Sequence, residues 1–272
     1  MGVKKINQFL LIFLMCFLSC SDDGERSNSL VNVFIIGAPG EFNDIFLEIL
    51  GVEIKTLGSR GTDNTESVFF PNTLVDKRVN VATLTANAQF LVGRGELATN
   101  PITEIKLMLG GDNFVTVGNN RIPIQINNES AANPTFQVNF SLVGGISHDI
   151  FLDFDPFRSF IITPGLEPRV ELNPFIRPFM SLEKGRASGT ISPPNQRVGI
   201  FTFDENGQWV SSTGSQAPSG NFAVRGLQEN KWHRILILPF NESYLPDTLD
   251  SVKVNIREIT QLGTINLRLI EE

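Results

Sequence analysis

From Leu30 onward the apolar residues recur at every second position or in short runs, and Gly, Pro, Asn or Asp interrupts them every few residues. A period of two matches the alternating faces of a half-buried strand, and breaks this frequent leave no room for helices of ordinary length. The clearest stretch is TFQVNFSL at 135–142, which puts Phe136, Val138, Phe140 and Leu142 on one face and Thr135, Gln137, Asn139 and Ser141 on the other. RIPIQI at 121–126 alternates too: Ile122, Ile124 and Ile126 face inward, and Pro123, with no N–H to give a ladder, predicts an edge strand. Further strands are expected at 31–36, 45–54, 78–84, 102–109, 113–117, 148–154, 158–162 and 170–179, with a short helix or loop over 85–97.

A charged turn, Glu183-Lys184-Gly185-Arg186, and a rigid one, Ser192-Pro193-Pro194-Asn195, place a domain boundary near residue 184. Beyond it, strands at 186–191, 197–203, 208–213, 220–225, 232–239, 250–258 and 263–270 fit a small sandwich. The predicted fold class is all-β, with two antiparallel β-sandwich-like domains spanning 31–183 and 184–272.

The first 30 residues have a different character. Lys4 and Lys5 precede ten apolar residues at 9–18, FLLIFLMCFL, and then small Ser19. A membrane-spanning helix needs about 20 apolar residues, whereas roughly 7–15 suit the core of a secretory signal, so residues 1–19 are expected to be removed. Leu18-Ser19-Cys20 resembles the lipobox of bacterial lipoproteins, with Phe17 where Leu is usual; Cys16 follows bulky Met15 and fits less well. The thiol of Cys20 would accept a diacylglycerol, and several acyl chains on one residue hold a protein durably on a bilayer. Ser21, Asp22, Asp23 and Glu25 look like the acidic tag that sends some lipoproteins to the outer leaflet of the outer membrane, and residues 20–30 form a flexible tether.

Composition bounds the chemistry. A net charge of −7 with no basic run beyond Lys4-Lys5 argues against nucleic-acid binding. Cys16 and Cys20 are the chain's two cysteines, so residues beyond them carry no disulfide and no thiolate metal site. Twenty-two Phe against one Tyr and two Trp suit sheet cores better than a sugar-stacking surface.

Histidine is scarce as well. His148 and His233 lie in different predicted domains, so a shared catalytic site is not expected, and both read as ordinary surface or strand-end residues. No nucleophile elbow, zinc-binding helix or phosphate loop is present; Gly93-Arg94-Gly95-Glu96 and Gly110-Gly111-Asp112 read as loop glycines.

The sharpest polar group is Asp149, Asp153 and Asp155, which period two sets opposite Ile150, Leu152 and Phe154. A row of carboxylates suits Ca²⁺, a glycosidase pair or a solvated or salt-bridged face; the last is expected, with Arg158 close enough to neutralise Asp155. Trp209 and Trp232 are candidates for stacking on a sugar, or for burial in the core of the second domain.

Several stretches carry a family resemblance. VFIIGAPGEFNDIFLEILGVEI (33–54), ITEIKLML (102–109), FLDFDPFRSFIIT (151–163) and LNPFIRP (172–178) resemble domain of unknown function 4382, a family of bacterial lipoprotein domains expected to be mostly β. Ala38-Pro39-Gly40 looks like its conserved turn, with Gly37 where the family usually has Asp. GTISPP (189–194), VGIFTFDENGQWVSST (198–213) and GNFAVRGL (220–227) resemble a prealbumin-like or carboxypeptidase-regulatory-like sandwich. That resemblance implies a spacer or binding module, with some relatives in a carbohydrate-binding-like superfamily. Within it, Asn206-Gly207 supplies positive φ for a hairpin turn.

Together these readings predict a non-catalytic surface lipoprotein, membrane-held through acyl chains, that binds a carbohydrate, polymer or surface protein complex. A structural or adhesive spacer is the alternative, and a secreted hydrolase a distant third. Exposed tryptophan would favour the binder, two buried tryptophans the spacer, and a pocket of converging carboxylates the hydrolase.

Overall fold

The computed structural model describes residues 28–58, 61–165 and 167–271; the predicted signal segment, Cys20 and the acidic tag lie outside the described residues. The chain opens with β1 (Asn28–Ile36), β2 (Asp44–Gly58), β3 (Gly61–Pro71), β4 (Arg78–Asn80), β5 (Phe90–Ala98), β6 (Ile102–Leu109) and β7 (Phe114–Val117). β8 (Asn120–Gln125), the one-turn helix α1 (Glu129–Ala132), β9 (Thr135–Phe140) and β10 (Ser147–Phe154) follow. A second one-turn helix, α2 (Pro156–Ser159), leads into β11 (Phe160–Thr163), β12 (Arg169–Leu172) and β13 (Ile176–Met180). After a 3-10 turn at Ser181–Glu183 come β14 (Gly185–Ser192), β15 (Val198–Phe203), β16 (Trp209–Gly214) and β17 (Asn221–Leu227), then β18 (Trp232–Pro239), β19 (Asp247–Lys253) and β20 (Ile259–Asn266).

Strands β1–β13 build two sheets. One has the order β13-β10-β1-β5; the other runs β11-β12-β8-β7-β2-β6-β9, with β3 and β4 also paired to β2. Long β2 is the spine of the larger sheet: its period-two residues Ile45, Leu47 and Ile49, then Val52 and Ile54, are fully buried. They meet Val31, Val33 and Ile35 of β1 and Ile150, Leu152 and Phe154 of β10 in one core. Strands β14–β20 build a second sandwich from a β17-β14-β20 sheet and a β16-β15-β18-β19 sheet around Ile191, Ile200, Phe222, Ile235 and Ile237. Pairing is antiparallel except between β1 and β10, β8 and β12, and β14 and β20.

The all-β class holds, and several local expectations change; the strand expected over 78–84, for one, stops at Asn80 and gives way to a 3-10 turn at Val81–Thr83. Residues 85–97, expected as a short helix or loop, largely form β5, antiparallel to β1. Gly93 and Gly95 are not loop glycines: a Cβ at either would strike Phe70, whose buried ring crosses the strand there. β3, unanticipated in its polar sequence GTDNTESVFFP, exists to deliver that ring.

β8 is not an edge strand, since it lies between β7 and β12. Its ladder to β12 begins at Ile124, so the N–H missing from Pro123 is not needed there. The two ends of that strand order are β11 and β9. The single strand expected over 170–179 is two, split at Asn173-Pro174-Phe175, with β12 and β13 in different sheets. The hairpin turn at Gly207 has the expected positive φ of 77° and is closed by Asp204, whose Oδ1 accepts from the Asn206 and Gln208 amides.

Asn72 ties β3 back to β2. Its side chain is buried, its Nδ2 donates to the Ile49 carbonyl at 2.9 Å, and its Oδ1 accepts from the Leu74 amide at 3.1 Å. Asn72→Ala leaves buried backbone groups unpaired and should lower unfolding free energy by about 1–3 kcal/mol in urea titration.

Candidate functional site

The outer face of the β13-β10-β1-β5 sheet is covered by the second sandwich. Period two along β10 turns Asp149, Phe151 and Asp153 to that side, where Phe151 stacks between Phe34 and Phe179 at centroid distances of 5.5 and 5.3 Å. Of the two forms expected for the acidic row, solvated or salt-bridged, Asp153 and Asp155 take the second: both are buried and each pairs with an arginine. Asp153 is buried and its Oδ2 accepts from Arg177 Nη2 at 2.7 Å and Ser211 Oγ at 2.8 Å. Arg177 goes on to donate to the Gly226 carbonyl at 2.6 Å and the Arg225 carbonyl at 3.0 Å, joining β13 to β17.

Asp155 has left the strand. It caps α2 by accepting from the Phe157 amide and pairs with Arg158 Nε at 2.6 Å, as expected from their spacing. Burial pushes the Asp155 carboxyl up, against the pull of Arg158. Arg158 also donates to the Trp209 carbonyl at 3.1 Å. Asp149 is apart from both, accepting from Asn32 Nδ2 at 2.7 Å. No three acidic, His or Cys side chains among the described residues are grouped so as to hold a metal ion. The row is thus two inter-unit anchors and one bystander, a partition that alternation alone does not disclose.

Two more arginines lock the units. Arg197 Nη2 donates to the Pro39 and Gly40 carbonyls at 3.0 and 3.1 Å, and also to that of Phe42. The Ala38-Pro39-Gly40 turn thus works through its main chain. Arg225 reaches Gln89 Oε1 at 2.7 Å and the Ala86 carbonyl at 3.1 Å. Most of these acceptors are main-chain carbonyls, which carry no side-chain signature in a sequence.

The two tryptophans separate. Trp209 offers no free platform: Arg158 lies over its ring at 4.5 Å and Phe201 meets it edge-on at 5.2 Å. Trp232 is 51% exposed and borders an open groove of about 770 Å³ on the outer face of the β16-β15-β18-β19 sheet. Phe203 and Leu236 add apolar floor, and Arg234, Thr248, Asp250 and Ser251 add polar groups.

A bulge shapes this wall. Between the pairs His233↔Val252 and Ile235↔Leu249, Asp250 and Ser251 stand against Arg234 alone, and Ser251 takes a left-handed φ of 60°. Bulges and such outliers re-aim side chains at the rims of sites. Each carboxylate of the groove is already engaged: Asp204 closes the Gly207 turn, Glu205 pairs with Lys231, and Asp250 pairs with Arg234 at 2.7 Å.

His148 and His233 are buried rather than surface residues. The first accepts from or donates to Val143 main chain, and the second contacts the Gln228 carbonyl, each bracing the loop before its strand.

An all-β architecture of two clamped sheet pairs, with an aromatic groove on the second, defines the class of protein. The chain belongs to the family described as Domain of unknown function (DUF4382), which matches residues 28–174. No curated protein matches it. Among solved structures it is similar to the shaft pilin SpaA of Lactobacillus rhamnosus GG, at 8% identity over 90% of this chain and 99% of that one, with a TM-score of 0.29. It is also similar to the Bacillus anthracis TIE protein, at 11% identity over 89% of this chain and a TM-score of 0.23, and spans 34% of that protein's length. Likenesses at these TM-scores carry nothing about function. No helix among the described residues is long and apolar enough to cross a membrane.

Proposed function

We propose that this chain is a non-catalytic, lipid-anchored surface protein that binds a carbohydrate polymer along the groove bordered by Trp232. The observation that carries the reading is the half-exposed indole itself, set on a sheet face beside hydrogen-bonding side chains. A flat ring covers the C–H face of a sugar, while neighbouring polar groups take its hydroxyls. The pairing of every groove carboxylate with a cation or a turn amide speaks against hydrolysis, which needs a free acid and base. A glycan array probed with the full chain tests this: binding to at least one polysaccharide, lost in Trp232→Ala, is expected, and an array without signal would refute it.

A second reading, a rigid spacer, is favoured by the arginine clamps, which fix the units relative to each other. The two readings are compatible, because a stiff stalk presents a binding face at a set distance from the membrane. The anchor would be Cys20, and the tag Ser21, Asp22, Asp23 and Glu25 would direct outer-leaflet display. Palmitate labelling should disappear in Cys20→Ala, and protease added to intact cells should degrade the wild type; equal labelling or full protection would count against these two parts of the reading.

A further inference from the structure

A second cleft, about 300 Å³ in volume, opens where the two units meet. Lys184, Arg186 and Arg225 line it, against one lining carboxylate, Asp149, which is already bonded to Asn32. Arg225 is 8% exposed, and Arg186 donates to Asn87 Oδ1. Both guanidinium groups keep a buried Nε without a hydrogen-bond partner, and none of the three cations has an ion-pair partner among the described residues. Like charges held together out of water are unfavourable unless an anion joins them. Burial, reinforced by Arg186, pushes Arg225 down to about 10, which leaves it charged at neutral pH.

We propose that this cleft binds an oxyanion, a carboxylate, sulfate or phosphate group held between Arg186 and Arg225 with Lys184 as third cation. The planar fork of a guanidinium, offering Nε–H beside Nη–H, matches the spacing of two oxygens on such a group. The site is distinct from the Trp232 groove and does not depend on it.

Calorimetric titration of the full chain with sulfate, phosphate and glucuronate, at constant ionic strength set by chloride, tests the assignment. Saturable binding of at least one is expected, with Kd raised tenfold or more in the Lys184→Gln/Arg186→Gln double variant and Tm in chloride unchanged or higher, since a repulsion has been removed. Glucuronate alone would identify a carboxylate-bearing ligand; sulfate or phosphate would identify a tetrahedral anion. Absence of saturable binding by all three, or equal Kd in the double variant, would overturn the proposal. General salting-out by sulfate would not saturate and would persist in the variant.

Discussion

Asp153→Ala should lower the unfolding free energy of the full chain by about 3–5 kcal/mol, because it removes one partner of a buried pair and leaves the Arg177 guanidinium uncompensated. The side chain of Asp153 is 4% exposed and that of Arg177 23%, so water reaches the arginine only in part. Ser211 Oγ loses its acceptor in the same step. Asp149→Ala is the control: Asp149 is half-buried, bonds only to Asn32 among the described residues, and should cost about 1 kcal/mol or less. Chemical denaturation followed by fluorescence of Trp209, which sits at the inter-unit contact, reads the difference directly. Were the acidic row a set of repelling carboxylates awaiting a cation, Asp153→Ala would stabilise the chain.

Phe154→Ala is the second large effect, at about 3–5 kcal/mol, since a fully buried aromatic leaves a cavity that the sheets cannot close. Phe154 is fully buried in the core between the first two sheets and meets Phe160 edge-to-face at 6.0 Å. Its neighbour in sequence, Asp153, faces the other unit, so the two substitutions probe opposite faces of β10. The two sites lie on one strand, and the double variant should fall short of or exceed the sum of the singles.

Much of the scaffold was legible because alternation reports burial. β6 and β18 lie where the pattern put them, at Ile102–Leu109 and Trp232–Pro239. What escaped is what alternation does not encode. β3 is polar along most of its length, and β5 contains glycines that serve a ring donated by another strand. Both are tertiary facts.

The site divides in the same way. The sequence placed Asp149, Asp153, Asp155, Trp209 and Trp232 on strands or their ends, yet their roles depend on which sheet face meets the second unit. A face that reads polar by pattern becomes an interface once Arg177 of β13 and Arg225 of β17 tie the two units together across it. Pattern reading supposes one covered face per sheet, and the β13-β10-β1-β5 sheet has two.

The central claim is that the exposed Trp232 face is a ligand face while Trp209 is structural. Affinity electrophoresis of the full chain through gels containing soluble polysaccharides tests it most directly. At least one polymer should retard the wild type, and Trp232→Ala should migrate at least tenfold less retarded with its unfolding midpoint unchanged. Retardation that survives Trp232→Ala, or wild-type mobility unaffected by every polymer, would contradict the account.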